Sequence, residues 1–76
     1  MVFEGRIEIN PQKLLGKPVI KGTRIPVYVV LNLLGEGQTI PQIIDEYPDL
    51  AKEDILAAIR FASHFTQFEE VEETAS

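Results

Sequence analysis

The side chains that could do covalent or metal chemistry are few and badly spaced for it. His64 is the only histidine and there is no cysteine, so a metal site would need several carboxylates as companions. Ser63 stands next to His64, but neighbours on one helix point about 100° apart, so they form no nucleophile and base pair. The other serine is Ser76. Gly16-Lys17 and Gly22-Thr23 lack the order of a phosphate loop, which needs Gly, four residues, then Gly-Lys-Ser/Thr opening a helix. No catalytic constellation and no cofactor loop is present, and the expected function is binding rather than catalysis.

Charge is the more informative chemistry. The first 25 residues carry Arg6, Lys13, Lys17, Lys21 and Arg24 against Glu4 and Glu8, a balance of +3. The remaining 51 carry Lys52 and Arg60 against ten acids, a balance of −8 within the overall −5. A polyanion is expected at the N-terminal third and a basic partner at the C-terminal part. Lys13, Lys17, Lys21 and Arg24 are the DNA-contact candidates, with Lys52 beside them. The alternatives are a solvated surface for the four, and for Arg24 an internal pair with Asp45 or Glu46.

The elements that must position these groups follow from periodicity and punctuation. The alternation Arg6, Ile7, Glu8, Ile9 predicts a short edge strand ended by Asn10-Pro11. Two β-prone triplets, Pro18-Val19-Ile20 and Thr23-Arg24-Ile25, flank Lys21-Gly22 and predict a tight hairpin or paired extended arms. Helix one is expected to start with Pro26 at its first position and run to Leu34, closed by Gly35. It is apolar almost all round, so it must be covered on most sides, and its β-branched residues leave a buried strand open as an alternative.

Thr39-Ile40-Pro41-Gln42 is a capping-box signature for a short helix two that buries Ile43, Ile44 and Tyr47 and stops at Pro48. Helix three is expected from about Lys52 to Phe68, with Ile55, Ala58, Ile59 and Ala62 as its core stripe. Leu50 and Ile55 can staple its start across an N-cap at Ala51. Phe61, Phe65 and Phe68 form a second stripe that one small domain does not cover together with the first, which marks them as protein-interface candidates. Core packing is the alternative for the three.

The expected fold class is therefore mostly α, a trihelical helix-turn-helix core preceded by short N-terminal β-strands. Its parts are strands and basic arm over residues 1–25, three helices over 26–68, and an acidic flexible tail over 69–76 that solubilises the chain or docks on a basic partner. Seventy-six residues close one small hydrophobic core, a marginal monomer that gains stability by oligomerising. No apolar run approaches a membrane span and residues 1–10 have no signal-peptide pattern, so a cytoplasmic protein is expected. A recognition helix beginning Ala51, Lys52, Glu53, Asp54 would set carboxylates against phosphates, which moves any DNA contact to the N-terminal arm.

The segment Gly16-Lys17-Pro18-Val19-Ile20-Lys21-Gly22-Thr23-Arg24-Ile25-Pro26-Val27 resembles the hallmark of the family known as domain of unknown function 433. The likeness continues through Ile9-Asn10-Pro11, Gly35-Glu36-Gly37, Glu46-Tyr47-Pro48-Asp49-Leu50 and Glu53-Asp54-Ile55-Leu56-Ala57-Ala58-Ile59, covering about residues 5–65. The resemblance implies an antitoxin-like helix-turn-helix protein, often a homodimer, encoded beside a nuclease of PIN-like fold. Such a protein binds and silences the toxin of a type II toxin-antitoxin module, and many also bind their own promoter. This chain departs from the family pattern at Ala51, where a threonine or serine is usual. The missing helix cap costs about 1 kcal/mol.

Two further functions follow from the residues. A protein-protein or dimerisation module without DNA binding is favoured by the acidic balance. An enzyme is disfavoured by the missing constellation.

Overall fold

The computed structural model describes residues 1–67, so Phe68 and the acidic tail lie outside the described residues. Three short strands, β1 (Val2–Phe3), β2 (Ile7–Glu8) and β3 (Val19–Ile20), precede three α-helices, α1 (Val27–Gly35), α2 (Ile40–Glu46) and α3 (Lys52–His64). This is the mostly helical, helix-turn-helix arrangement with N-terminal strands that the periodicities indicate. Among the described residues no helix is long and apolar enough to cross a membrane.

The strands form one antiparallel sheet in the order β1-β2-β3. The strand expected at the edge is therefore the central one, because Val2 and Phe3 pair with Glu8 and Ile7 on its other side. The connecting turn holds Glu4 and Gly5 at φ of +54° and +70°, closed by the Arg6 N–H donating to the Phe3 carbonyl at 3.0 Å. On the third strand, Ile20 pairs with Ile7 and Val19 with Glu8. The hairpin read at Lys21-Gly22 forms. Thr23 N–H donates to the Ile20 carbonyl, Ile20 N–H to Ile25 and Val27 N–H to Pro18, so the two arms lie paired.

Helix α1 starts one residue later than expected. Pro26 is its N-cap, at φ −67° and ψ 147°, rather than its first helical residue. Its end also moves. Gly35 stays helical, and Gly37 takes the left-handed φ of +96°. The Gly37 and Gln38 N–H groups then donate to the Leu34 and Leu33 carbonyls at 3.0 Å each, the paired bonds of a Schellman motif, which glycine reaches without a Cβ penalty. Helix α2 has the capping box read from Thr39 and Gln42: each residue's backbone N–H donates to the other's side chain.

Helix α3 is the hub, packing on α1, α2 and β2. Leu50 and Ile55 are both buried across its N-cap, as a hydrophobic staple requires. Ala51 caps it without a side-chain bond, but half of the reciprocal arrangement survives. Asp54 accepts from the Ala51 N–H at 2.9 Å. The buried face is Ile55, Ala57, Ala58 and Phe61, while Ile59 is 41% exposed. The expected stripe is thus rotated. At about 100° per residue, Phe61 lies between Ala57 and Ala58 on the wheel and Phe65 one turn beyond, so the aromatics extend the core stripe instead of forming another. The core closes with Ile7, Ile20, Val27, Val30 and Ile43.

Candidate functional site

Two arginines fasten the sheet to α3. Arg6 donates to Asp54 at 2.8 Å, and Arg60 grips Glu4 with three bonds of 2.7 to 3.0 Å. Glu4 sits in the turn of positive φ, so a locally unfavourable backbone is held by a bidentate pair reaching across the fold. Hydrogen bonding from Arg60 lowers the Glu4 carboxyl pKa below its ordinary value; desolvation opposes that, and charge attraction adds to it.

The fastening brings aromatic rings together at the C-terminal end of α3. Phe3 meets Phe61 edge-on at 5.3 Å between centroids, Phe61 meets Phe65 at 4.9 Å, and His64 lies 5.4 Å from Phe65. His64 is thus an exposed aromatic neighbour of phenylalanines. Phe61 is only 6% exposed and belongs to the core, contrary to a purely interfacial role, whereas Phe65 is 56% exposed.

Between α1 and α3 a groove of about 370 Å³ opens on this cluster, bounded by Pro18, Tyr28, Leu31, Phe61, Ala62 and Phe65. Tyr28 is 52% exposed, and Lys17 Nζ lies 5.2 Å from its ring centroid, within reach of a cation-π attraction. Reasoning from sequence missed Tyr28 and Leu31. The signal was the nearly all-round apolar surface of α1, which the domain covers only in part.

The five cationic candidates do not converge on one site; only Lys13 and Arg24 share a groove. Lys13 is tied to Glu8 at 3.1 Å and, with Arg24, lines a groove of about 360 Å³ beside Gln12, Gly22 and Thr23. Lys17 leans on Tyr28 instead. Lys21 is exposed in the hairpin turn, and Arg24 is exposed without forming an ion pair among the described residues. Lys52 lines a third groove, of about 720 Å³, with Ile40, Pro41, Ile44, Asp45 and Pro48. The arm also holds Leu14 and Leu15 at φ of +47° and +56°, a left-handed turn that costs about 1–2 kcal/mol per residue. It leaves Leu15 95% exposed between Lys13 and Lys17.

Comparison with known proteins agrees with this architecture. The family model described as protein of unknown function (DUF433) matches residues 7–62. An uncharacterised protein of Sinorhizobium fredii is 36% identical over 53 residues, which is 70% of this chain and 24% of that protein. A crystal structure of a DUF433 member from Anabaena variabilis is similar at a TM-score of 0.75 and 30% identity, covering 80% of this chain and 60% of that one. The chain thus spans about a quarter of the curated relative and three-fifths of the crystallised one.

Proposed function

The chain belongs to the DUF433 family of proteins of unknown function, and from the groove that this member carries between α1 and α3 we propose that it works by binding a protein partner there. The partner is a nuclease of PIN-like fold encoded beside it, which the chain neutralises as the antitoxin of a type II module. The observation that supports partner binding is the half-exposed Tyr28 and Phe65 rimming an apolar floor of Leu31 and Ala62. Large rings that are partly wet in the free protein and desolvated by a partner supply most of the affinity at interfaces. The toxin as partner rests on the family resemblance of the segment around Gly16 to Val27.

In this reading the protein is a cytoplasmic homodimer, not an enzyme, and needs no cofactor. Promoter DNA is a secondary ligand of the complex, met by Lys13, Lys17, Lys21, Arg24 and Lys52. The second reading, an interaction or dimerisation module without DNA binding, is favoured by the division of those cations among separate grooves and by the ties of Lys13 and Lys17 to Glu8 and Tyr28.

Titration of the purified protein with the adjacent gene product, and of both with upstream duplex DNA at two salt concentrations, tests the proposal. The antitoxin reading expects a stable complex with nuclease inhibition, and DNA binding that strengthens with the partner and falls steeply with salt. A complex that ignores DNA selects the second reading. Failure to bind the neighbour overturns the antitoxin role.

A further inference from the structure

The groove of about 360 Å³ beside the hairpin differs from the other two in its charge. Lys13 and Arg24 line it without a carboxylate. The groove beside α2 balances Lys52 with Asp45, and the α1–α3 groove has Lys17 as its one charged group. The arm contributes Gln12, Lys13 and Leu14, the hairpin contributes Gly22, Thr23 and Arg24, and the buried Val19 adds an apolar patch.

Hydrogen-bond donors are in excess on these residues. Lys13 gives Glu8 one bond of 3.1 Å, which steadies the ammonium and leaves two of its three N–H groups unused. Arg24 forms no ion pair among the described residues and keeps its forked guanidinium donors. The backbone N–H groups of Leu14, Gly22 and Arg24 also have no acceptor among the described residues. Thr23 is spent on the hairpin: its hydroxyl donates to the Ile20 carbonyl at 2.8 Å and accepts from the Ile25 N–H at 3.0 Å.

Backbone strain marks the same place. Leu14 and Leu15 stand at φ of +47° and +56°, in a left-handed turn closed by the Gly16 N–H on the Lys13 carbonyl. Burial does not repay that strain, because Leu14 is 40% and Leu15 95% exposed. Strain that core packing does not require is characteristic of binding sites.

A carboxylate offers two oxygens and one charge. A phosphomonoester offers three terminal oxygens and a charge of about −1.5 to −2, which two cations balance. The volume lies near the lower end of small-molecule pockets, roughly 300 Å³, and suits a phosphate with a small substituent. Duplex DNA is a ladder of charges about 1.7 Å apart along its axis, matched by a row of cations. Lys17 on Tyr28 and Lys52 beside α2 do not continue such a row.

We propose that the groove between the arm and the hairpin binds one phosphomonoester group, with Lys13 and Arg24 on its oxygens, carried by a small molecule or by the 5′ end of a nucleic-acid strand. The site does not rest on the antitoxin role or on the α1–α3 groove.

The test is an NMR titration of the full chain with inorganic phosphate, adenosine 5′-monophosphate and a short single strand with and without its 5′-phosphate. Acetate and adenosine are the controls. The expected result is amide shifts gathered over residues 12–14 and 22–24 with the phosphorylated probes and little response to the controls. Preference for the nucleotide assigns a small molecule, and preference for the phosphorylated strand assigns a strand end. Lys13→Gln and Arg24→Gln, both at exposed positions, each lower the affinity by at least about 5-fold, more than one exposed charge pair contributes, while Glu36→Gln at the end of α1 leaves it unchanged. Acetate binding as well as phosphate, smaller losses in the two variants, shifts outside the groove alone, or duplex DNA lacking terminal phosphates binding the same amides as tightly would each overturn the proposal.

Discussion

The two ends of α3 solve opposite problems with one stripe of side chains. At the start, Leu50 and Ile55 are buried, Asp54 is bonded twice, and Asp45 and Lys52 line the apolar groove against α2. At the finish, Phe61 is buried and Phe65, one turn on, is largely in water against a groove without carboxylates. The stripe continues past the point where the domain can cover it. The first end therefore carries both charges beside its groove, and the second offers apolar area with the ammonium of Lys17 beside it.

The largest expected effect breaks this comparison at its inner edge. Phe61→Ala removes a ring packed on Phe3 and Phe65 and costs about 3–5 kcal/mol in urea unfolding, whereas Phe65→Ala stays within about 0.5 kcal/mol because its ring is mostly solvated. Equal costs for the two would mean that both rings are core. At the first end, Asp54→Ala leaves Arg6 and the Ala51 N–H without their acceptor and lowers stability by about 1–3 kcal/mol. Ala51→Ser should act in the other direction. The backbone at φ −103° and ψ 160° suits a capping hydroxyl, which adds about 1 kcal/mol and raises Tm by about 4–8 °C in a scanning calorimeter.

The smallest effect is the pH dependence of the Glu4–Arg60 pair. The folded carboxyl titrates below its unfolded value of 4.5, so the unfolded chain binds the proton more readily. The pair's contribution is fully present above that pH and is lost as the pH falls through the lowered value. Thermal melts of Glu4→Gln should show a shallower acid-side decline than wild type, and parallel curves would remove the pair from the account.

Much of this organisation is legible in the chain. Thr39 and Gln42 announce their cap, Pro48 ends α2, and Lys21-Gly22 places the hairpin, because each acts on its own backbone within a few residues. What escapes local reading is what distant residues decide. Strand β1 is two residues long, too short for a period, and it is defined by pairing with β2. The ion pairs that draw it onto α3 span 48 and 56 positions. Ile59 fits the helical period as well as Phe61 does, and the sheet's position under Phe3 decides which of them is covered. Gly35 reads as the stop of α1 from its place after Leu34, and the Schellman bonds move the stop to Gly37.

The candidate site divides in the same way. The exposed ring of Phe65 and the apolar excess of α1 are visible in the sequence, but their meeting across a groove is not. The cations of residues 13–24 look like one basic arm when written in a line. Folded, Lys13 is tied to Glu8 and shares a groove with Arg24, while Lys17 leans away on Tyr28.

The most direct test of the central claim is isothermal titration of the adjacent gene product with wild type and Phe65→Ala. The account predicts a folded variant whose affinity falls about 30-fold or more, the cost of about 2 kcal/mol that marks an interface anchor. A variant that binds as tightly as wild type would contradict the claim that the α1–α3 groove holds the partner.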